Sequence, residues 1–351
     1  MKKIDVLVVD DSPLMRAWLK KILSADPVIG EVTTAQDPFE AKASLQIKRP
    51  DVITLDVEMP GMDGISFLKE IMSAHPLPVV MISAYTQENG QTTIKALSLG
   101  AVDFIPKPGP GSQEEKETFP QRLLAKVKEA AQTRTVPPPA APVSPVLQRT
   151  VIEPVRHPSR GVPDLMIGIG ASTGGTQALT FVLSQLPENM PPIIIVQHMP
   201  SQFTPAFADH LNQVSRLTVR EAWPFDRLER GQAVVVPGGK HGLIQKDQQG
   251  FFLSLNENPP VNHHRPSVDV LFHSLAETVH EKGIGILLTG MGEDGARGLL
   301  AMRNQGAKTL AQDESTSTVF GMPRAAIKLG AAQEVAPLGE VPAWLTKMAR
   351  P

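Results

Sequence analysis

The sequence has no cysteine among its 351 residues and is almost neutral, with a formal net charge of -2. Without thiols it has no disulfide, no thiol nucleophile and no cysteine-ligated metal, as expected in a reducing compartment. The balanced charge gives no long-range attraction to nucleic acid or to anionic membranes. No apolar run approaches the ~18 residues that span a bilayer, and Asp5, Asp10 and Asp11 interrupt the apolar start. We therefore expect a cytoplasmic protein with no nucleic-acid partner and no direct membrane insertion.

Proline is concentrated in one part of the chain. Residues 133–163 contain prolines at positions 137, 138, 139, 142, 145, 154, 158 and 163, with no sustained apolar period. Proline removes backbone donors and favours extended geometry, which is typical of a linker. A chain of this length also exceeds the usual size of a single core. We predict a domain at 1–132, a Pro-rich linker at 133–162 and a second domain at 163–351.

The first 132 residues alternate between short β-rich runs and helical patterns. The pairs are IDVLVV and PLMRAWLKKIL, EVTTA and PFEAKASLQI, DVITL and GISFLKEIMSA, PVVMIS and QTTIKALSL, and VDFIP and PQRLLAKVKEAA. Five βα units predict a five-stranded parallel sheet with helices on both faces, a flavodoxin-like α/β architecture. In such sheets ligands bind at the carboxyl ends of the strands.

Five polar residues follow these predicted strands: Asp10, Asp11, Asp56, Ser83 and Lys107. Three carboxylates at one sheet edge repel one another unless a hard cation such as Mg²⁺ lies among them. The pattern predicts phosphoryl transfer to Asp56, with Asp10, Asp11 and Asp56 as metal ligands and Ser83 and Lys107 on the phosphoryl oxygens. The alternative is that each acidic residue caps a helix or is simply solvated, which applies most readily to Asp11. Five such residues at successive strand ends favour the functional interpretation.

The motifs VVDDSPLMR, LDVEMPGMDG, MISAYT and AVDFIPKP closely resemble those of two-component receiver domains, over residues 3 to 130. The resemblance implies that a histidine kinase is the phosphodonor for Asp56 and that Mg²⁺ is needed for this reaction. It also implies a cis peptide bond between Lys107 and Pro108. Phe104 falls where receivers carry an aromatic residue that responds to phosphorylation.

The stretch IGIGASTGG at 167–175 lies between an apolar run and a helical pattern, so it predicts a strand-to-helix turn. Two interpretations follow. A dinucleotide fingerprint needs the spacing G-x-G-x-x-G and an acidic residue after the next strand. Here Gly168, Gly170 and Gly174 are spaced one residue too far, and the next strand ends in Gln197 and His198 without a carboxylate. A receiver joined to an NAD-binding module is therefore disfavoured.

The second interpretation is G-x-S-x-G, with Ser172 as a nucleophile on a sharp turn. His198 follows a second strand, and Asp294 lies in a Gly-rich turn after a third, GIGILL. This composition suits a Ser-His-Asp triad in which His198 takes the serine proton and Asp294 holds the imidazole. The order Ser, His, Asp differs from those of the well-known triad folds. From spacing alone, His198 as a strand cap and Asp294 as an ordinary helix N-cap stay open.

Residues 165 to 336 closely resemble the catalytic domain of chemotaxis protein-glutamate methylesterases. The resemblance is carried by IGIGASTGGTQAL, VQHMPSQFTPAFADHL, PPVNHHRPSVDVLFHSLA, GILLTGMGEDGARGLLAM and AQDESTSTVFGMPRAAI. It implies a doubly wound α/β domain without a cofactor, a triad of Ser172, His198 and Asp294, and oxyanion contacts near Thr173 and Met291. It further implies a phosphorylation-activated enzyme that hydrolyses glutamate γ-methyl esters on methyl-accepting chemotaxis receptors and deamidates selected receptor glutamines.

Two short segments carry weaker signals. Adjacent histidines in HHRP at 263–266 cannot easily ligate one ion, so a metal site is disfavoured. Arg265 is predicted either to line the substrate groove or to pack within its loop. The residues Gly238 to His241 are interpreted as a turn, without a role for His241. A non-catalytic adaptor remains an alternative to the enzyme, whereas a DNA-binding regulator lacks the basic helix it would need.

Overall fold

The computed structural model describes residues 2–59, 63–74, 76–83, 88–109, 113–133 and 165–350. Contacts divide the chain into two compact units, Met1–Pro137 and Pro138–Pro351. The predicted linker lies outside the described residues except for its first position. Within the described ranges, no helix combines the length and apolarity that a membrane span requires.

The first unit is a five-stranded parallel sheet with the order β2-β1-β3-β4-β5. Its strands are β1 Ile4–Val9, β2 Ile29–Ala35, β3 Val52–Asp56, β4 Val79–Ser83 and β5 Asp103–Pro106. Its helices are α1 Pro13–Ser24, α2 Pro38–Ile47, α3 Gly64–Ala74, α4 Glu88–Ser98 and α5 Gln113–Ala131. The order and the parallel pairing confirm the flavodoxin-like prediction.

Local sequence signals explain where the first helix begins and how it packs. The Ser12 hydroxyl accepts a hydrogen bond from the Met15 N–H, and Pro13 occupies a first-turn position where its missing donor costs nothing. One face of α1 joins α5 and the sheet in a continuous apolar core. Trp18 stacks on Phe119 with ring centroids 4.9 Å apart, fastening α1 to α5.

The second unit is built on a seven-stranded sheet with the order β14-β13-β12-β6-β7-β9-β8, and all of its pairs are parallel. The strands are β6 Met166–Ala171, β7 Ile193–Gln197, β8 Thr218–Glu221, β9 Gln232–Val235, β12 Gly283–Leu287, β13 Lys308–Gln312 and β14 Glu334–Ala336. An antiparallel hairpin consists of β10 His241–Asp247 and β11 Gly250–Asn256. The helices are α6 Gly175–Gln185, α7 Thr204–Val214, α8 Val268–Thr278, α9 Ala296–Asn304, α10 Met322–Lys328 and α11 Val341–Met348, with 3₁₀ turns at His280–Lys282 and Leu338–Glu340.

The winding of this sheet reverses at β6. The strands that follow β6 directly, β7, β8 and β9, lie on one side of it, and the later strands β12 to β14 lie on the other. In an open parallel sheet such a switch point opens a crevice at the carboxyl ends of the strands. The prediction of a doubly wound α/β domain is confirmed.

The glycines of IGIGASTGG allow α8 to pack closely on β6. A Cβ atom at Gly170 would lie 2.2 Å from a methyl carbon of Val268, the first residue of α8. A larger residue would push the helix off the strand, and with it the groups at the start of the helix. Gly170 therefore has a packing role that needs no phosphate ligand.

Candidate active site

Ser172 lies one residue beyond β6, at the start of a tight turn into α6. Its N–H donates to the carbonyl of Thr289 at 3.0 Å, and its own carbonyl accepts from Gly175 N–H at 2.7 Å. The side chain is 7% exposed. Within the described part of the chain its hydroxyl has no hydrogen-bond partner, so it is available to react.

The turn after β12 approaches the Ser172 backbone closely. A Cβ atom at Gly290 would lie 2.7 Å from Ser172 Cβ and 2.3 Å from Met322 Sδ. Gly290 also accepts hydrogen bonds at its carbonyl from Gly321 and Met322 N–H. Ser172 therefore packs directly against the backbone of Gly290, which has no side chain to separate them. This contact and the hydrogen bond from Ser172 N–H to Thr289 O hold the serine in place.

His198 lies beside Ser172 at the end of the neighbouring strand. In the parallel register Ala171 pairs with Gln197, and His198 N–H donates to Ala171 O at 3.2 Å. Adjacent strands are about 4.8 Å apart, so residues 172 and 198 are next to each other. The buried Gln197 amide donates to Ser172 O at 2.9 Å and ties the two strand ends together.

Asp294 lies in the turn after β12, and its buried carboxylate accepts hydrogen bonds from several directions. His198 Nε2 lies 2.8 Å from Asp294 Oδ2. The other donors are Asn262 Nδ2, Ser267 Oγ and the N–H groups of Val268 and Asp269. Burial alone would raise the pKa of Asp294, but His198 and these donors outweigh it and hold the pKa below its ordinary 3.8. The residue is therefore an anion at neutral pH.

This arrangement defines the roles available to the His198 ring. An ionised carboxylate only accepts hydrogen bonds, so it selects the tautomer with the proton on Nε2. Nδ1 is then the basic nitrogen, and it is buried without a hydrogen-bond partner in the described residues. The nitrogen that is free to accept a proton thus belongs to a residue at the strand end next to that of Ser172.

Asp294 does not cap the helix that follows it, which was the alternative to a triad. The N-cap of α9 is Gly295, which has no side chain to donate or accept. The Asp294 carboxylate instead accepts from the first N–H groups of α8, which is distant in sequence. Its position is consequently defined by tertiary contacts.

Sequence reasoning missed two residues that touch this site. The ring of His264 stacks on His198 with centroids 3.7 Å apart and planes inclined by 8°. Asn262 donates to both Asp294 Oδ1 at 2.7 Å and Asp269 Oδ2 at 2.8 Å. The sequence marks their motif only by its adjacent histidines. Hydropathy has no periodic pattern that identifies a loop residue in contact with a distant turn.

Three further residues were predicted for this site, and they differ in exposure and in hydrogen bonding. Met291 is 42% exposed, and its N–H has no acceptor in the described ranges. Thr173 is buried, and its carbonyl accepts from Thr289 Oγ1 at 2.9 Å. Arg265 donates to the carbonyls of Glu257 and Asn258 within its own loop.

His241 has a clearer position than the sequence suggested. A turn covers positions 238–240 as expected, but His241 begins β10 and is buried. Its Nδ1 accepts from Ser267 N–H at 3.2 Å, and its Nε2 donates to Pro259 O at 3.1 Å. The ring thereby links the hairpin to the segment that leads into α8.

The first unit brings the predicted acidic residues together at the carboxyl ends of its strands. Oxygen atoms of Asp10, Asp11 and Asp56 all lie within 4.8 Å of one another. Lys107 Nζ lies 2.7 Å from Asp56 Oδ2 and 3.0 Å from Asp10 Oδ2. Three carboxylates face one ammonium, which leaves excess negative charge and oxygen ligands that suit a divalent cation. Ser83 is the last residue of β4 and is buried. Its Oγ accepts a hydrogen bond from Thr93 Oγ1 at 2.9 Å.

The pKa values of Asp56 and Lys107 are both raised, but for different reasons. Burial raises the pKa of Asp56 to about 6, against the opposing effect of Lys107. Burial disfavours the charged form of Lys107, but Asp56 and Asp10 outweigh it and raise the lysine pKa above 10.5. A cleft of about 800 Å³ beside Asp56 is also lined by Lys69 and Lys95. The cleft therefore presents both carboxylates and lysines around Asp56.

Two further expectations concern the same edge of the first unit. Phe104 is buried in β5. The bond between Lys107 and Pro108 is not cis, since the cis peptide found in the described residues joins Arg265 to Pro266. The prediction of a cis bond at Lys107 is therefore wrong: the sequence Lys-Pro lowers the preference for trans but does not remove it.

Comparison with known proteins places these two units in a family. Residues 167–345 match the family model of CheB methylesterase, and residues 6–115 match that of the response regulator receiver domain. A protein-glutamate methylesterase/protein-glutamine glutaminase 3 of Geobacter metallireducens is 46% identical over 346 residues, which cover 97% of this chain and 98% of that protein. A protein-glutamate methylesterase/protein-glutamine glutaminase 2 of Pseudomonas aeruginosa is 46% identical over 350 residues, covering 99% of this chain and 97% of that protein.

A solved structure matches the second unit. The CheB methylesterase catalytic domain of Thermotoga maritima is 35% identical, with a TM-score of 0.52, and the match covers 54% of this chain and 99% of that one. The family carries out the ester hydrolysis that the sequence motifs predicted. The chain therefore belongs to the protein-glutamate methylesterase/protein-glutamine glutaminase family of carboxylic ester hydrolases, with a response regulator receiver domain ahead of a CheB methylesterase domain.

Proposed function

We propose that this protein is a phosphorylation-activated methylesterase that hydrolyses glutamate γ-methyl esters on methyl-accepting chemotaxis receptors, using Ser172, His198 and Asp294. The observation that carries the proposal is the 2.8 Å pairing of His198 Nε2 with ionised Asp294, which leaves the buried Nδ1 without a partner among the described residues, at the strand end next to that of Ser172. Family membership supports the substrate class. The site residues rest on the geometry described above.

The reaction follows a two-step acyl transfer. Ser172 Oγ attacks the ester carbonyl carbon while its proton passes to His198 Nδ1, and Asp294 stabilises the imidazolium through Nε2–H. The tetrahedral intermediate collapses, the methoxy group takes that proton and methanol leaves. Water then attacks the acyl-serine and gives its proton to His198, and the bond from the acyl carbon to Ser172 Oγ breaks as His198 returns that proton to Oγ. The glutamate side chain is released as the carboxylic acid. The balance is ester plus water to carboxylic acid plus methanol.

Backbone donors stabilise the negative charge that develops on the carbonyl oxygen. The unpaired N–H of Met291 supports a role as one such donor, and the N–H of Thr173 is the second that we propose. Removing a single donor of this kind from a hydrolase typically costs 10²- to 10³-fold in kcat.

We also propose Arg265 as a substrate contact. Its hydrogen bonds to the carbonyls of Glu257 and Asn258 would first have to break.

In the receiver, we propose that Asp56 accepts a phosphoryl group from a chemotaxis histidine kinase. Asp10, Asp11 and Asp56 would hold Mg²⁺, which neutralises charge on the transferring group. Lys107 lies against Asp56 and Asp10, where it can bind a phosphoryl oxygen, and the Ser83 hydroxyl takes another. We propose that no cofactor is needed in the catalytic domain.

Phosphorylation adds about -1.5 to -2 charges at Asp56, and we propose that this relieves inhibition of the catalytic domain by the receiver. The domain boundaries in this proposal are 1–132, 133–162 and 163–351. A linker keeps the domains at high effective concentration while allowing them to move. Kinase and receptors are thus the two partners, one for each domain.

The test measures methanol release from methylated receptor membranes by the whole protein and by Ser172→Ala. Among the described residues the Ser172 hydroxyl makes no hydrogen bond, so the variant should fold normally and release no methanol. A Thr180→Ala variant, which loses a hydroxyl in the middle of α6, serves as a matched control and should retain activity. Equal methanol release by wild type and Ser172→Ala would contradict the proposed nucleophile and favour the adaptor alternative.

The same site supports deamidation of selected receptor glutamines, because His198 can protonate departing ammonia as it protonates methoxide. Ammonia release from unmethylated receptors that retain those glutamines would measure this activity. We expect Ser172→Ala to lose both activities together. A variant that retains ammonia release without Ser172 would show that deamidation uses a different nucleophile.

A further inference from the structure

The loop between β11 and α8 contacts both His198 and its carboxylate partner. We call residues Val261 to Ser267 the histidine loop. His264 lies flat on His198, with ring centroids 3.7 Å apart and an angle of 8° between planes. No other ring stacks on His198 in the described part of the chain.

We infer that His264 is a positioning residue, which holds the His198 imidazole in the plane where Nε2 meets Asp294 and Nδ1 faces Ser172. The inference deepens the proposed function and rests on it. In this inference His264 acts on the reaction through His198.

The need for such a residue follows from the hydrogen bonds of His198. One ring nitrogen, Nε2, is bonded to Asp294, whereas Nδ1 has no partner until it takes the serine proton. A ring held at a single atom can still tilt and rotate, which would move Nδ1 away from Ser172. A parallel ring at 3.7 Å blocks that movement through close contact over the whole face.

The stack also favours the charged state that His198 adopts during the reaction. The face of an aromatic ring attracts a cation, and the attraction grows when water is excluded. The His198 side chain is only 7% exposed. The aromatic face of His264 over the His198 imidazolium therefore adds to the stabilisation that Asp294 provides at Nε2.

The histidine loop is itself fixed to the carboxylate that His198 binds. Val261 and His264 exchange two backbone hydrogen bonds, at 3.1 and 2.9 Å. Asn262 has a left-handed φ of 52°, which asparagine tolerates better than most residues, and its amide bridges Asp294 and Asp269. The stacking ring and the carboxylate are therefore placed by one loop, so their positions relative to His198 are coupled.

The experiment compares His264→Ala and His264→Phe in the full-length protein, by steady-state methanol release from methylated receptor membranes. We expect His264→Ala to lower kcat about 10- to 100-fold, the scale of a misplaced catalytic group, with KM unchanged. His264→Phe keeps a flat ring and should restore most of kcat. His263→Asn changes the exposed neighbour, tolerates its left-handed φ of 65°, and should match wild type.

A second readout does not depend on the substrate. Long-range ¹H–¹⁵N spectra of the histidine rings report which nitrogen of His198 carries the proton. We expect one Nε2–H tautomer in wild type and His264→Phe, and averaged signals in His264→Ala. Thermal unfolding of each variant separates these effects from a loss of folding.

The outcomes separate the two claims. An unchanged kcat and unchanged His198 signals in His264→Ala would overturn the inference, as would a loss that appears only in KM or that His264→Phe fails to restore. If wild type released no methanol from proven substrate, the proposed function would fail, and the His198 signals alone would decide whether His264 orients the ring.

Discussion

At the scale of single residues, Asp294 and His241 respond to burial in opposite ways. Asp294 keeps its charge because surrounding donors stabilise it. His241 loses its charge, because burial lowers its pKa below 6.5 more strongly than its hydrogen bond to Pro259 O raises it. Its Nδ1 must also stay unprotonated to accept from Ser267 N–H. Both residues border the segment leading into α8, so the charge state of each matters for the site.

The lowered pKa of His241 makes stability depend on pH in a defined direction. Between the folded pKa and 6.5 the unfolded chain binds a proton at His241 that the folded protein does not. The stabilisation from neutral His241 is therefore complete above 6.5 and declines as the pH falls below it. We expect the free energy of unfolding of the second unit to decrease between pH 7.5 and pH 5.5.

Urea unfolding at a series of pH values would measure this effect. Asparagine in place of His241 can put an oxygen near the position of Nδ1 without titrating, so His241→Asn should flatten the slope. His210 is half-buried and its pKa is also lowered by burial, so His210→Asn should remove a separate part of the slope and leave the part due to His241 in place. An identical pH slope in His241→Asn and wild type would contradict the expectation.

The sequence located the three proposed triad residues because strand ends are visible as a change from apolar runs to glycine and polar residues. Asn262 and His264 were missed for a physical reason. Their contacts depend on left-handed φ angles at residues 262 and 263 and on packing against a distant turn. Neither property leaves a periodic pattern in the sequence.

At the scale of secondary-structure elements, α8 depends on a carboxylate that does not belong to it. Its N-cap residue, Ser267, makes no capping bond to the helix and donates instead to Asp294. Asp294 accepts from the N–H groups of Val268 and Asp269, where the helix dipole favours negative charge. The carboxylate proposed for catalysis is therefore also a cap for α8.

This dual role distinguishes Asp294 from Ser172 in stability measurements. Asp294→Ala removes the cap and leaves several buried donors without an acceptor, so we expect a loss of at least about 1–3 kcal/mol in unfolding free energy, the usual scale for leaving a buried polar group unsatisfied. Ser172→Ala should cost far less, since the hydroxyl has no hydrogen bond to any residue that the structure describes. Denaturant unfolding of both variants checks this. Equal stability of the two would exclude a capping role for Asp294.

The sequence predicts some of the secondary-structure elements better than others. The strands of the first unit were predicted to within two residues, because their apolar runs have sharp limits. The last helix of that unit was expected to begin at Pro120, yet α5 begins at Gln113 and includes that proline. Burial of Phe119 against Trp18 supplies packing that outweighs the missing donor. The β10–β11 hairpin went unpredicted because its apolar and polar residues do not alternate cleanly.

At the scale of the whole molecule, each unit contains its own buried core. We therefore expect residues 163–351 to fold alone and to release methanol without a phosphodonor. In the whole protein, release should rise when Mg²⁺ and a small phosphodonor are added. Initial rates of methanol release from the fragment and the whole protein would measure both effects.

Asp56→Asn provides the control for that experiment. It removes the proposed phosphoacceptor without touching the catalytic unit, so basal release should persist and the response to phosphodonor should disappear. Chelation of Mg²⁺ should abolish the response in wild type in the same way. A response that survives in Asp56→Asn would contradict phosphorylation at that residue.

The contact between Gly290 and Ser172 has a consequence for the pattern of tolerated variation. A survey of all substitutions scored by activity would rank Gly290 with Ser172, since any added carbon at position 290 meets Ser172 or Met322. Scored by the amount of folded protein in the cell, the two positions should diverge, because only the glycine substitutions disturb packing. The abundance score thus separates residues that perform the chemistry from those that make room for it.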